Sequence, residues 1–189
     1  LLRGPALGRH LLPTLRDPGQ TASGLLTRPP TELPPKVKAY LNAPDWDGVE
    51  RDLEWLQAPG NRLVGFTDAA YPERLRMLAD PPLALFVRGD PDLLGMPQLA
   101  IVGSRHPTTG GARTARAFAA HLAAAGLVIS SGLAAGIDAA AHDGALAADG
   151  LTLAVAGTGL DRVYPADNRE LAHRIAGAGL LISEFPIGT

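Results

Sequence analysis

The chain has 189 residues, of which 46% are hydrophobic and 19% charged, the balance of a globular protein with room for one or two domains. Its formal net charge of −2 excludes a general attraction to polyanions, so any anion binding must come from a local site. The absence of cysteine excludes disulfides, thiolate metal sites and cysteine nucleophiles. No apolar run approaches the roughly 18 residues that cross a bilayer, and Gly, Pro and Arg interrupt residues 1–12, so we expect a cytoplasmic protein without a signal peptide.

Residues 1–62 are predicted to form a small helical domain. Prolines divide this region into short pieces, which favours helices at 7–15, around 37–41 and at 49–56, the last capped by Asp47. This domain is interpreted either as a structural appendage or as a surface for a partner.

The two lysines of the chain, Lys36 and Lys38, both lie in this first region. Every permanent cation beyond residue 38 is therefore an arginine. This excludes a P-loop lysine or a lysine Schiff base from the rest of the chain.

Residues 63–189 are predicted to form an α/β domain with a Rossmann-type parallel sheet. Apolar runs at 63–66 and 83–87 flank a short helix, and Gly89 and Asp90 form a turn. Further strand-like runs then alternate with helix-forming stretches; the strands are 99–102, 127–130, 151–156 and 180–183, and the helices are 112–125, 134–148 and 168–178. Continuously apolar strands at this spacing predict βαβ units, a sheet covered on both faces and all carboxyl strand ends at one edge.

Small and hydroxyl-bearing residues occupy the ends of three of these strands, where open α/β sheets bind their ligands. They are Gly103, Ser104 and Arg105 after the first, Ser131, Gly132 and Gly136 after the second, and Gly157, Thr158 and Gly159 after the third. Glycine lets a ligand approach the backbone, and free N–H groups at helix starts bind anions. The three loops together predict a polyanion site.

Arg105 is the permanent cation next to the first strand end, and its guanidinium suits a bidentate phosphate contact. The alternative for Arg105 is a structural ion pair with Asp138, which lies at the same edge. Asp138 and His142 stand four residues apart on one helix, and a local hydrogen bond anchoring that helix is favoured over acid–base work or a metal site. His106 is interpreted as solvated and Phe118 as a core residue.

The sequence does not match the motifs of two common nucleotide-binding sites, the dinucleotide site and the Walker loop. The first strand is followed by GSRHPTTGG rather than G-x-G-x-x-G, and the second strand ends in serines rather than in an acidic residue, which disfavours a dinucleotide site. A Walker loop is absent from the sequence. No cofactor is predicted, and no metal.

Four motifs resemble the DNA-processing protein A family, also called DprA or Smf. They are IVGSR (101–105), SGLAAGIDAAAH (131–142), AVAGTGLDRVYPADN (154–168) and LISEFP (181–186), in that order. The segment 71–90 resembles the lead into that family's core, and GPALGRHLL (4–12) more faintly resembles its sterile-alpha-motif-like (SAM-like) N-terminal domain.

This resemblance implies an extended Rossmann-like fold that binds single-stranded DNA in natural transformation (competence). It implies protection of incoming strands, loading of RecA recombinase in DNA recombination, a homodimer, and no enzymatic activity. The nine loop residues named above would be the DNA-binding set, with Arg105 as the main cation. Ala135 and Ala166 fall where relatives often carry a basic residue, which implies weaker or more salt-sensitive binding, and the chain is expected to be a fragment that stops before further basic and dimer-forming segments.

The enzymatic alternative is a phosphoribohydrolase-like nucleotide hydrolase, whose P-G-G-x-G-T-x-x-E motif carries a catalytic glutamate. Here Gly157, Thr158 and Gly159 are followed by no glutamate before Glu170.

The domain beyond residue 96 holds three aromatic residues, Phe118, Tyr164 and Phe185. So few rings exclude an extended stacking platform and predict binding dominated by the DNA backbone.

Overall fold

The computed structural model describes residues 2–4, 11–12, 22–27 and 32–189 and shows one six-stranded sheet with helices packed on it. The strands are β1 (Asn61–Gly65), β2 (Ala84–Gly89), β3 (Gln98–Ala100), β4 (Val128–Ser131), β5 (Thr152–Val155) and β6 (Leu180–Ser183). The helices are α1 (Ala22–Thr27), α2 (Pro35–Asn42), α3 (Trp46–Leu56), α4 (Glu73–Arg76), α5 (Thr109–Ala124), α6 (Ile137–Ala147) and α7 (Arg169–Ala178). The predicted α/β fold with short N-terminal helices is confirmed, while the helix predicted at 7–15 lies outside the described residues except for the helical pair 11–12.

The strand order in the sheet is β1-β2-β6-β5-β4-β3. Strands β3 to β6 pair in parallel, and β2 joins them antiparallel to β6 and to β1. The carboxyl ends of the four parallel strands therefore lie at one edge, as the βα rhythm predicts. None of the helices in the described ranges is long and apolar enough to cross a bilayer.

Helices α5, α6 and α7 pack side by side on one face of the sheet. The opposite face carries an apolar cluster that includes Phe66, Tyr71 and Leu93, and beside it an open groove of about 800 Å³. The expected cover on both faces is only partial on this second face, where Val155 stays 48% exposed. The reason is topological: consecutive right-handed crossovers that run in one direction along a sheet place their helices on the same face.

Small residues let α5 and α6 approach closely. Ala115, Ala119 and Ala123 form the buried stripe of α5, and a side chain at Gly144 of α6 would collide with the carbonyl oxygen of Arg116. Phe118 lies off this stripe and is 62% exposed, so its assignment to the core is wrong. The alanines, not the larger ring, mark the buried face because the two helices leave no room for more.

The start of α3 is fixed by Asp45, whose carboxylate accepts a hydrogen bond from the Gly48 N–H at 2.9 Å. The predicted cap, Asp47, lies inside the first turn, because the helix begins at Trp46, three residues before the predicted start. On the same helix Asp52 binds the Arg3 guanidinium at 2.7–2.8 Å and accepts from the Ile187 N–H at 3.0 Å. These contacts tie α3 to the segment that follows β6.

Candidate functional site

A pocket of about 510 Å³ opens at the carboxyl edge of the sheet, and we call it the edge pocket. Its lining residues come from all three predicted loops and from the segment after the third; they are Arg105, His106, Gly132, Ala134, Ala135, Gly157, Thr158, Tyr164 and Pro165. The predicted convergence of the loops is therefore present in the fold. Of the nine predicted site residues, four line the pocket: Arg105, Gly132, Gly157 and Thr158.

The first loop presents an arginine that has no hydrogen-bond or ion-pair partner among the described residues. Ser104 holds the turn, since its Oγ accepts a hydrogen bond from the His106 N–H at 3.1 Å. Arg105 is exposed, and no carboxylate among the described residues lies within 4.0 Å of its guanidinium. The alternative ion pair with Asp138 is thus not formed, and the guanidinium is available to an anion in the pocket.

The second loop is organised by Asp138 from within. This buried carboxylate accepts from the N–H groups of Gly132 at 3.1 Å and Ala134 at 3.4 Å. Two N–H groups that the sequence pattern offers to a ligand are therefore already used by the protein. The loop gives the edge pocket a wall of small residues rather than a free ring of donors.

Two of the motif glycines join the first loop to the second. Gly136 has φ +84, and a side chain there would collide with the carbonyl oxygen of Ser104. The next residue, Ile137, donates its N–H to that same oxygen at 3.1 Å. A Cβ at Gly103 would in turn stand 2.9 Å from the Ile137 side chain. Gly103 and Gly136 do not line the pocket; they allow the loop contact that shapes it.

Ser131 and Gly159 lie behind the pocket wall. Ser131 is buried, and its hydroxyl donates to the Ile101 carbonyl at 2.6 Å. Gly159 is buried too; its N–H donates to the Thr189 carbonyl at 2.9 Å, and a side chain there would meet the Pro186 carbonyl. The structure gives both residues internal partners in place of the predicted direct contact with a ligand.

The third loop leaves open space at Gly157. Ser183, buried at the end of β6, donates its hydroxyl to the Thr158 carbonyl at 2.7 Å and so fixes the loop. The Thr158 hydroxyl donates to the Arg162 carbonyl at 3.3 Å. Gly157 is exposed, and a Cβ at that position would meet no atom within 4 Å. A Cβ at 157 thus has no described neighbour, and the position opens onto the edge pocket.

The sequence pattern left Tyr164 and His106 out of the predicted site, yet both line the edge pocket. The available signal for Tyr164 was its rarity, as one of three aromatic residues beyond residue 96. Ala134, Ala135 and Pro165 complete the lining. The described residues contain no cluster of His, Asp and Glu that could hold a metal ion.

The predicted local hydrogen bond at the start of α6 is made by Asp138 to the preceding loop, whereas His142 bonds to the sheet. His142 is fully buried, and its Nδ1 lies 2.7 Å from the Thr152 hydroxyl, which itself donates to the Ile129 carbonyl at 2.7 Å. Because the hydroxyl has one proton, the His142 Nδ1–H must be the donor to it. Burial lowers the pKa of His142 to about 4, against the opposing effect of Asp138 and Asp143. His142 thus joins α6 to the sheet as a neutral ring behind the pocket.

Comparison with known proteins matches most of the chain to the family that the four sequence motifs resemble. The family profile described as DNA recombination-mediator protein A matches residues 62–189. The chain is 41% identical over 153 residues to Protein Smf of Escherichia coli, covering 80% of this chain and 41% of that protein. It is 44% identical over 141 residues to Protein Smf of Synechocystis, covering 72% and 35%. The chain thus spans less than half the length of these curated relatives.

Solved structures agree with the fold. The crystal structure of DNA processing protein A from Streptococcus pneumoniae superposes with a TM-score of 0.77 at 32% identity, over 96% of this chain and 62% of that one. The protein of the same name from Helicobacter pylori, whose structure is described as showing a single-stranded DNA binding mode, has a TM-score of 0.58 at 36% identity over 62% of this chain and 54% of that one. This chain belongs to the DNA recombination-mediator protein A family, whose members include the DprA and Smf proteins.

Proposed function

We propose that this chain binds single-stranded DNA in the edge pocket. The observation that carries the proposal is the lining itself: an arginine with no ion-pair partner among the described residues, His106 and Thr158 stand around a wall of glycine and alanine, and no lining residue is a carboxylate. These side chains attract a polyanion, and none of them repels it. The related Helicobacter pylori protein, described as binding single-stranded DNA, supports the same reading.

Arg105 is proposed as the principal phosphate contact, because its guanidinium is exposed and has no carboxylate partner among the described residues. Gly132 and Gly157 are proposed to let the strand pass close to the protein backbone, and Thr158 to contact it beside them. Gly103, Ser104, Ser131, Gly136 and Gly159 are proposed to act indirectly, by holding the loops in place. With one principal cation, log affinity should fall with log salt by only about 0.7 per phosphate contact, and binding should be tolerant of sequence.

The wider roles rest on family membership. We propose a DNA-processing role in natural transformation, with protection of incoming strands, loading of RecA and a homodimeric full-length protein. The division into a SAM-like domain at 1–62 and a Rossmann-like domain at 63–189 is part of the same proposal. It agrees with β1 beginning at Asn61 and with the family profile beginning at residue 62.

The test is a competition assay by fluorescence anisotropy with a labelled single-stranded oligonucleotide. Unlabelled single strands should displace the probe fully. Duplex of the same length and mononucleotide should compete much more weakly, since a paired duplex cannot place a separate nucleotide among the lining residues of the edge pocket and a mononucleotide lacks neighbouring phosphates. Equal competition by single strand and duplex would contradict the proposed selectivity.

Gly157→Val should weaken binding of single-stranded DNA at least tenfold while leaving thermal unfolding nearly unchanged. The added side chain meets no protein atom at its Cβ, so its bulk enters the open space beside the third loop. Gly177→Val is the matched control, because Gly177 is likewise exposed with no neighbour at a Cβ but lies on α7 outside the edge pocket. Wild-type affinity in the Gly157 variant would remove the third loop from the binding surface.

We further propose that the edge pocket is not catalytic. Hydrolysis of a nucleotide needs a positioned acid or base, and Asp138, the nearest buried carboxylate, is already held by two loop N–H groups. Nucleoside monophosphates and ATP incubated with the protein should be recovered intact by chromatography. Release of free base that disappears on Glu184→Gln or Asp138→Asn would favour the hydrolase instead.

A further inference from the structure

Tyr164 is the one large aromatic side chain in the lining of the edge pocket, and it is 69% exposed. Four of the eight other Phe, Tyr and Trp side chains among the described residues are in ring contacts: Trp55 packs edge-on against Phe86, and Phe66 against Tyr71. No ring contact and no hydrogen bond to another described residue holds Tyr164 in the same way. A tyrosine ring left in water at the mouth of a pocket is an unused apolar and planar surface.

The rest of the lining leaves room beside this ring. Gly132, Ala134, Ala135 and Gly157 contribute no side chain longer than a methyl group. The single permanent cation of the lining, Arg105, belongs to the first loop, whereas Tyr164 follows the third. The pocket therefore combines a group that binds phosphate, a flat surface and a small-residue wall that does not fill the space between them.

From this lining we infer that the edge pocket takes one whole nucleotide of the strand, with its phosphate at Arg105 and its base stacked on Tyr164. The inference rests on the proposed function and deepens it, since a purely phosphate-directed site would need no exposed ring. Every base has a π-face, so stacking adds affinity without selecting sequence. Tyr164 is then a base-positioning residue of a site that remains tolerant of sequence.

The test compares two ten-nucleotide strands, one of normal thymidylates and one of abasic tetrahydrofuran units with the same phosphates. Wild-type protein should bind the normal strand roughly 5- to 150-fold more tightly than the abasic strand, the range expected for one base stacked on an aromatic side chain. Tyr164→Leu should lose that preference while keeping its affinity for the abasic strand, and Tyr164→Phe should keep both. Phe118→Leu, which changes an exposed ring outside the pocket, is the matched control.

A spectroscopic reading distinguishes stacking from a change in pocket shape. A strand carrying 2-aminopurine should lose fluorescence on binding to wild-type protein and to Tyr164→Phe, and much less on binding to Tyr164→Leu at saturation. Equal affinity of wild-type protein for normal and abasic strands would overturn the inference and leave the proposed function standing. An equal loss of affinity for both strands in Tyr164→Leu would also overturn the inference and leave the proposed function standing. Failure of wild-type protein to bind either strand would instead remove the proposed function.

Discussion

The free energy of unfolding is expected to fall by about 3 kcal/mol as the pH drops from 6.5 to about 4, because the unfolded chain binds a proton at His142 that the folded protein does not. Burial lowers its pKa from 6.5 to about 4, and one pKa unit corresponds to about 1.4 kcal/mol. The two nearby carboxylates, Asp138 and Asp143, act in the opposite direction and are outweighed.

The geometry explains why protonation is unfavourable. With Nδ1–H donating to the Thr152 hydroxyl, the ring's Nε2 is the unprotonated nitrogen, and this buried atom has no hydrogen-bond partner in the part of the chain that the structure describes. A proton added there would place an unsatisfied charged donor inside the packing of α6 on the sheet. The folded protein therefore resists protonation that the unfolded chain accepts.

The sign follows from the lowered pKa. Above pH 6.5 His142 is neutral in both the folded and the unfolded protein, and its contribution to the free energy of unfolding is complete. Between pH 6.5 and 4 the unfolded chain binds a proton that the folded protein does not, so stability is lost as the pH falls. Urea unfolding at pH 7, 6, 5 and 4.5 measures this. His142→Leu should flatten the wild-type slope over that range, while His121→Gln, on the exposed side of α5, should leave it unchanged. Parallel slopes for wild type and His142→Leu would contradict the assignment.

Much of the fold could be predicted from local sequence, because βα units give a repeating pattern of apolar runs and helix-forming stretches. Apolar runs of strand length at regular spacing define the parallel strands, and the glycine-rich stretches after them mark the edge where the loops converge. The order of the strands in the sheet gives no such pattern in the sequence. The exposure of Phe118 and the open groove both depend on β3 standing at the edge of the described sheet and on all three crossovers running one way.

The candidate site was predicted at the level of loops and less well at the level of atoms. Sequence spacing places Asp138 one turn before His142, but only the folded loop shows that its carboxylate faces the N–H groups of Gly132 and Ala134 instead. Similarly, a glycine needed for loop packing, such as Gly136, has the same letter as one that faces open space, such as Gly157. The chemistry of a residue type could be predicted from sequence, whereas its partner could not.

Replacing Arg105 by alanine is expected to give a large loss of DNA affinity. A well-placed arginine contact to phosphate contributes roughly 1–3 kcal/mol, which corresponds to roughly a 5- to 150-fold weaker dissociation constant. The melting temperature should hardly change, because the guanidinium is exposed and no described carboxylate within 4.0 Å pairs with it. The loss should be similar for all sequences, since phosphates carry no base identity.

Salt titration separates this electrostatic contact from a change of shape. Each lost contact to a single-stranded phosphate should reduce the slope of log affinity against log salt by about 0.7. Arg51→Ala removes the same charge from an exposed position on α3, outside the edge pocket, and should leave both affinity and slope close to wild type. Arg105→Lys should fall between wild type and alanine, because an ammonium keeps the charge but not the bidentate geometry. A stable Arg105→Ala protein with unchanged affinity and slope would take the principal cation out of the site, and the small-residue wall of the pocket would then have to bind the strand without it.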